Sequence, residues 1–579
     1  MQTTIIRNGI YFDGLGNKGI KKDIIIKGNT IADVLDKAPF IEHAKEIDAT
    51  DHWITPGFID LHTHYDAEVE VMPSLDESVR HGVTTVVFGN CSLSAALGKD
   101  KEIVDLFARV ENIPAKILSD WIIGNIKWTN VKEYYEHLET LPLGPNIATF
   151  LGHSNLRIDA MGLERAFLEP KANEQELEQM QKRLEAALAV GYLGLSIDML
   201  PFHRWAGVYY KKYLGISVPS QRAAKSEYFF LADILRNTDS VLQITPNAVD
   251  KTSFVTIMRL SQGGFFKKSL KTSIVAALDL KSNERIYKLL KVLGFIGNDI
   301  LGAKMMFQTL AEPFMNYGDG PITPLFEEFP SMIMAISADE NERKKLFKDP
   351  KFREQFVKEW NHKAASVFPR ALKEMWVVNS PDKNLIGKNF EEIAIEAKAD
   401  PVNHFMDLMA QYDTKLRWKC ETSNHREEVR LELLSYKYCM PGFNDSGAHN
   451  VNMAFHDGCL QLLKTAQKFP DILPIEKAIY RITKETADFI KIDAGDISKG
   501  KRADLVIIDP TKLQSDVNSE VIEDYHPLLN GVYRLVKRSG KVVKHVFING
   551  TEAYSNNGQV GFHEGLGKQK IFGQLLKRQ

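Results

Sequence analysis

The chain predicts an α/β protein, a (β/α)8 barrel with a small β-sandwich domain formed by its N- and C-terminal segments. Three observations predict this. The centre alternates short apolar strands with helical patterns, as a parallel sheet with crossover helices does. β-rich segments bracket that centre on both sides. Histidine, cysteine and aspartate recur where the apolar strands end, which is where barrels of this kind gather their functional groups. About eight strand–helix repeats in some 430 residues suit a closed barrel better than an open sheet.

Residues 1–56 read as the first half of the β domain. Thr4-Ile5-Ile6 and Ile24-Ile25-Ile26 are β-branched runs, punctuated by Asp13-Gly14 and Gly28-Asn29. Residues 57–485 read as the barrel. Its candidate strands are 57–61, 83–88, 147–151, 193–198, 241–245, 273–278 and 439–445. For the remaining strand, 332–337 and 375–379 both qualify. One helix is fully specified: Asn173 caps it, Glu176 completes a capping box, and Leu177, Met180, Leu184 and Leu188 repeat at helical spacing before Gly191. Residues 340–435 are charged, helical in pattern and longer than one repeat requires, and so read as an insertion that could serve as a lid over the site. Residues 486–579 complete the β domain, with strands at 503–509 and 542–548, a turn at Asn549-Gly550, and a basic tail from Lys568 that reads as frayed.

Composition narrows the function classes. A chain of 579 residues exceeds the roughly 150 of one ordinary domain. At 44% hydrophobic and 26% charged it is globular rather than disordered. Lys plus Arg (73) against Asp plus Glu (75) leaves a net charge of −2, without the basic footprint of a nucleic-acid binder. No apolar run approaches the roughly 20 residues that span a bilayer, and Met1 to Arg7 lacks the pattern of a secretory signal. The four cysteines contain no C-x-x-C pair and form no disulfide framework. The expectation is a cytoplasmic protein with a small-molecule partner and neither nucleic-acid nor membrane partner; a homo-oligomer is compatible with it.

The chemistry is written at the strand ends. His62-Thr63-His64 places two imidazoles at i and i+2 on one side of an emerging strand, where both can reach one metal ion. Cys91 follows the strand 83–88, His153 follows 147–151, and Asp445 and His449 follow the late strand. A lone His-x-His pair is more often a packing feature, and a lone buried cysteine a small hydrophobe. Titratable groups arriving at one rim from separate strands are hard to explain by packing.

These motifs carry a resemblance. Pro56 to Asp66, containing Gly-Phe-Ile-Asp-Leu-His-Thr-His, resembles the first-strand motif of the amidohydrolase superfamily. His81 to Cys91, ending Phe-Gly-Asn-Cys, is similar to its D-aminoacylase branch, the N-acyl-D-amino-acid deacylases, as are Gly152 to Arg157 and Asp445 to His449. Gly495 to Val506 resembles the segment by which such chains leave a TIM-like barrel for the β domain. The resemblance runs from about residue 4 to 550. It implies a metal-dependent hydrolase of a non-peptide carbon–nitrogen bond in a small N-acyl amino acid or related amide. His62, His64, Cys91 and Asp445 would hold the metal, with Asp445 as general base and then acid. Thiolate with imidazole favours zinc. His153 and His449 would stabilise the oxyanion or hold the substrate's carboxylate, and Arg157 would bind that carboxylate.

The departure concerns the fifth and sixth strands, where the deacylases carry histidines that complete the metal centre. Here Ser240 to Asn247 offers Gln243, and Ser273 to Asp279 offers no histidine. The expectation is therefore one zinc, with a second site degraded. Gln243 would then be a poor oxygen ligand, a substrate contact or a structural residue, and His203 would reach the site from its loop. Alternatives are a deformylase or cyclic-amide hydrolase of the same superfamily, and a non-catalytic binding or scaffold relative.

Overall fold

The computed structural model describes residues 3–110, 113–248, 250, 252–264, 267–362, 366–517, 520–557 and 559–579; Met1 and Gln2, invoked above for the absence of a signal, lie outside them. Short apolar strands form the centre: Phe58–Asp60, Val83–Phe88, Asn146–Thr149 continuing as Leu151–Gly152, Gly194–Asp198, Val241–Thr245, Lys271–Ile274, Lys304–Thr309 and Cys439–Pro441. Each runs parallel to the next. The last meets the first beyond its formal end: Leu61 N donates to Gly442 O at 2.9 Å, and Thr63 forms a parallel bridge with Ser446. Such strands are buried on both faces and read as continuous apolar runs. Ile59, Leu61, Val87, Ala148, Phe150 and Met440 meet in one cluster.

Two strand expectations are corrected. The seventh strand is Lys304–Thr309, a Met-Met-Phe-Gln run with none of the β-branched bias that marks the others. Residues 332–337 are a helix, because Phe326, Phe329, Met332 and Ala335 follow a period near three and all bury on the same cluster. Met375–Asn379 is a strand, but of a separate antiparallel sheet with Arg417–Ser423 and Phe314–Asp319. That sheet and the helices around it form an excursion that begins at Phe314, before residue 340. It has its own aromatic core, in which Phe329 stacks on Trp360 with centroids 5.6 Å apart. Residues 363–365 within it lie outside the described ones. The helix Glu174–Val190 forms with its capping box, Asn173 Oδ1 accepting from Glu176 N at 2.9 Å, and ends at Gly191.

The two ends of the chain share one nine-stranded sheet. Trp53–Pro56 pairs antiparallel with Leu505–Ile508 at its middle. Thr3–Tyr11, Ile20–Lys27, Thr30–Leu35 and Lys45–Asp48 lie on one side. Val543–Ile548, Thr551–Asn557 and Gln559–Phe562 lie on the other. Ile6, Ile24, Ile54, Leu505, Ile507 and Phe547 form a core on it. The basic tail is docked rather than frayed. Ile147 N donates to Gln574 O at 3.0 Å, Leu576 N donates to Ile147 O at 2.7 Å, and Leu576 inserts among Phe150, Leu193 and Val241. Its two apolar anchors, Phe572 and Leu576, outweigh the loss of chain entropy that its charge pattern suggested. Among the described residues no helix is long and apolar enough to cross a membrane.

Candidate active site

Three strand ends bring four side chains towards one point. His62 and His64 leave the first strand with ring centroids 5.3 Å apart and are almost fully buried. Thr63 between them turns the other way, its hydroxyl donating to Val87 O at 2.7 Å. Cys91 follows the second strand with φ +52°, and Ser92 has φ +66°; side chains rarely adopt this left-handed backbone, and it persists only where the surroundings hold it. Here Cys91 N donates to Gln243 Oε1 at 2.9 Å and Ser92 N to Ser196 Oγ at 3.0 Å, so the fourth and fifth strands fix the turn that aims the thiol. Asp445, at φ +52°, is held by its neighbour Ser446, whose hydroxyl donates to the buried Asp60 at 2.8 Å. Gly447 must be glycine: at φ +87° its absent Cβ would stand 2.8 Å from the His64 carbonyl.

The ligand atoms of His62, His64 and Cys91 all lie within 4.8 Å of one another. Cys91 Sγ is 3.3 Å from His62 Nε2, and Asp445 Oδ1 is 3.5 Å from His64 Nε2 and 3.7 Å from His62 Nε2. Bonds of about 2.0–2.3 Å in a tetrahedral zinc site put ligand atoms about 3.3–3.7 Å apart; these three separations match that spacing, and His62, His64 and Cys91 form the group whose ligand atoms are all mutually close. Electrostatics favours the same reading. Burial pushes His62 down to about 3 and His64 well below its ordinary value, which keeps both rings neutral as ligands must be. Burial pushes the Cys91 thiol well up, so its thiolate requires a cation alongside. Burial also raises Asp445 to about 7, with His203 pulling the other way.

Behind these groups lies a layer that the sequence analysis missed. His62 Nδ1 is 2.8 Å from Gln308 Oε1, and Gln308 Nε2 donates to Ser273 Oγ at 2.8 Å. Thr245 Oγ1 donates to Cys91 Sγ at 3.3 Å. Recognising Lys304–Thr309 as a strand would have exposed Gln308 near a strand end. Thr245 ends a strand that was recognised, and only the expectation of titratable groups passed it over.

The cavity in front of the cluster has a volume of about 530 Å³. His203 and His449 contribute to its wall beside His62, His64, Cys91 and Asp445. Burial lowers the affinity of the His203 ring for a proton, but Asp198, 2.8 Å from Nδ1, and the more distant Asp445 outweigh it, leaving the group raised. His449 is pushed down to about 3 by burial. Arg204 and Arg109 also face the cavity. Arg109 is paired with Glu327, Nε to Oε1 at 3.1 Å, while Arg204 Nε has no partner among the described residues.

The structure does not bring the other three expected residues to that wall. His153 and Arg157 both turn to the buried Glu227, His153 Nε2 at 2.8 Å and Arg157 through Nη1, in a network shared with Ser220. A buried glutamate requires that compensation, and it occupies both side chains. Gln243 lies behind Cys91, both ends of its amide in use.

No family model matches the chain. An uncharacterised protein of Mycobacterium tuberculosis (strain H37Rv) is 36% identical over 596 residues, covering 99% of this chain and 95% of that protein. A D-aminoacylase of Alcaligenes xylosoxydans xylosoxydans is 30% identical over 193 residues, covering 33% of this chain and 37% of that protein. Among solved structures, a D-aminoacylase studied for its binuclear metal centre superposes with a TM-score of 0.65 at 19% identity, over 99% of both chains. The N-acyl-D-glutamate deacylase of Bordetella bronchiseptica, complexed with zinc and a phosphonate inhibitor, gives 0.61 at 18% identity over the whole of both.

Proposed function

We propose that this chain, a metal-dependent hydrolase of carbon–nitrogen bonds that belongs to the D-aminoacylase branch of the amidohydrolase superfamily, cleaves the amide of an N-acyl amino acid or related small amide at one zinc. The observation that carries this is the grouping of the His62, His64 and Cys91 ligand atoms within 4.8 Å of one another, with Asp445 Oδ1 3.5 and 3.7 Å from the two histidines, at the head of a cavity. The parallel strands are read as a closed (β/α)8 barrel of residues 57–485, interrupted by the excursion and completed by the β domain of the two chain ends.

His62, His64, Cys91 and Asp445 would hold the ion, which would supply an activated water at neutral pH. Asp445 takes the proton of the attacking water on its carboxylate and delivers it to the leaving nitrogen. His203, whose affinity for a proton Asp198 raises, and Arg204, with a donor unpaired, face the substrate's carboxylate and the oxygen that becomes negative. His62 is fixed from behind by Gln308 and does not move with the proton. Fifth and sixth strands that offer Gln243 and Ser273 in place of histidines support one ion rather than two.

The test is metal content by plasma mass spectrometry with turnover on N-acyl amino acids. Wild type is expected to hold about one zinc per chain and the His62→Ala/His64→Ala variant close to none. Asp445→Ala is expected to keep most of the metal and lose activity by about 10²–10⁴. Metal absent from wild type after supplementation would replace this reading with the non-catalytic one.

A further inference from the structure

We infer that the acyl group this site accepts is a long unbranched hydrocarbon chain rather than an acetyl group, an inference that rests on the hydrolase reading above. The cavity is far larger than a short acyl group requires. At about 30 Å³ for each heavy atom, the share of a water in the liquid, an acetyl group occupies about 90 Å³. A space of about 530 Å³ is several times that, leaving room beside the amino acid for a chain well beyond acetyl.

Its wall has the matching chemistry. Charged side chains gather at the metal cluster and at Arg109, Arg204 and Glu327, while Phe254, Leu278, Leu280, Ile286, Leu289 and Leu290 line it with hydrocarbon. The last three come from the helix Ile286–Phe295. His62 is 1% exposed and Leu289 40%, so the lining runs from the buried cluster to the protein surface. On that surface the same helix leaves Val292 and Phe295 about half exposed, 51% and 52%, where a globular helix ordinarily turns polar side chains outward. A chain reaching past Leu289 therefore stays on apolar surface. A site made for an acetyl group has no use for a hydrocarbon-lined channel with an apolar exit, and contiguous exposed apolar surface is costly unless it is used.

The experiment is an acyl-length series on the zinc-loaded enzyme with N-acetyl-, N-octanoyl- and N-dodecanoyl-glycine, which avoids any question of stereochemistry. The value of kcat/KM is expected to rise at least tenfold from acetyl to octanoyl and again to dodecanoyl. Leu289→Asp, at a position exposed enough to tolerate charge, is expected to lower the dodecanoyl-to-acetyl ratio at least fivefold. Binding is measured in parallel by titrating acetate, octanoate and dodecanoate calorimetrically, without turnover. Dodecanoate binding at least tenfold tighter than octanoate, with the gain reduced in Leu289→Asp, supports the long-chain site even if no glycine amide is cleaved, in which case the hydrolase reading fails separately. A flat series in binding, or an acetyl preference in turnover, overturns the inference.

Discussion

Replacing Gln308 by leucine should weaken metal binding by about 10- to 100-fold without touching a ligand. The neutral imidazole of His62 carries one proton. Gln308 Oε1, 2.8 Å from Nδ1, holds that proton there, because the other end of the amide is committed to Ser273. Nε2 is then a free lone pair aimed at the space shared with Cys91 Sγ and Asp445 Oδ1. Leucine removes the acceptor, so the proton can move to Nε2 and block the donor, and a buried N–H loses its partner; both residues are only 1% exposed. An unpaired buried polar group costs about 1–3 kcal/mol, and loss of such a support for a metal-bound histidine typically costs 10–100-fold in affinity, or about 1.4–2.7 kcal/mol. The assay is competition for zinc against a chromogenic chelator, with urea denaturation of the metal-free proteins run beside it. Gln308→Glu retains an acceptor and should bind close to wild type. The reasoning fails if folded Gln308→Leu binds zinc within twofold of wild type, or if Gln308→Glu is as weak as the leucine variant.

Two further outcomes follow from groups outside the site. His456 is buried and lowered to about 3, by burial first and by Arg534 next, so its unfolded form takes a proton before its folded form does. Its contribution to stability is present above about 6.5 and is lost as pH falls towards 3; by pH 5 the loss approaches about 2 kcal/mol, and His456→Gln should flatten the change in denaturation midpoint between pH 7.5 and 5. Leu576→Ala should cost about 2–4 kcal/mol in urea denaturation, since Leu576 is 5% exposed within the inner cluster of the parallel strands; a cost under 0.5 kcal/mol would return the tail to the frayed state its charge suggested.

How far the sequence reached depended on whether a feature was local. Strand ends carrying His62, His64, Cys91 and Asp445 were legible because residue type and spacing sit on one short segment each. The capping box at Asn173 and Glu176 was legible for the same reason. What failed required a partner far along the chain. Glu227 lies 74 residues beyond His153, and nothing near His153 announces that its ring is already taken. The strand Lys304–Thr309 has little β propensity of its own and owes its state to neighbours on both sides, the pairings at Lys271–Ile274 and Cys439–Pro441. The tail docks because two apolar side chains fit positions in the inner core, which composition averaged over twelve residues conceals.

The same distinction bears on what the missing histidines mean. A metal centre that had simply decayed would leave buried polar positions without partners, because each ligand lost exposes groups that had been satisfied through it. The fifth and sixth strands show the opposite. Gln243 and Ser273 stand opposite each other in the parallel ladder, and neither has an unpartnered side-chain atom among the described residues. Gln243 accepts from the Cys91 backbone and donates to Thr245, which in turn donates to the Cys91 sulfur. Ser273 accepts from Gln308, which fixes the His62 ring. Both strands thus brace the ends of the first and second strands, and the chains of hydrogen bonds end on Cys91 and His62. The pairing of Gln243 and Ser273 supports the one-ion reading proposed above and weighs against a chain that has given up binding metal.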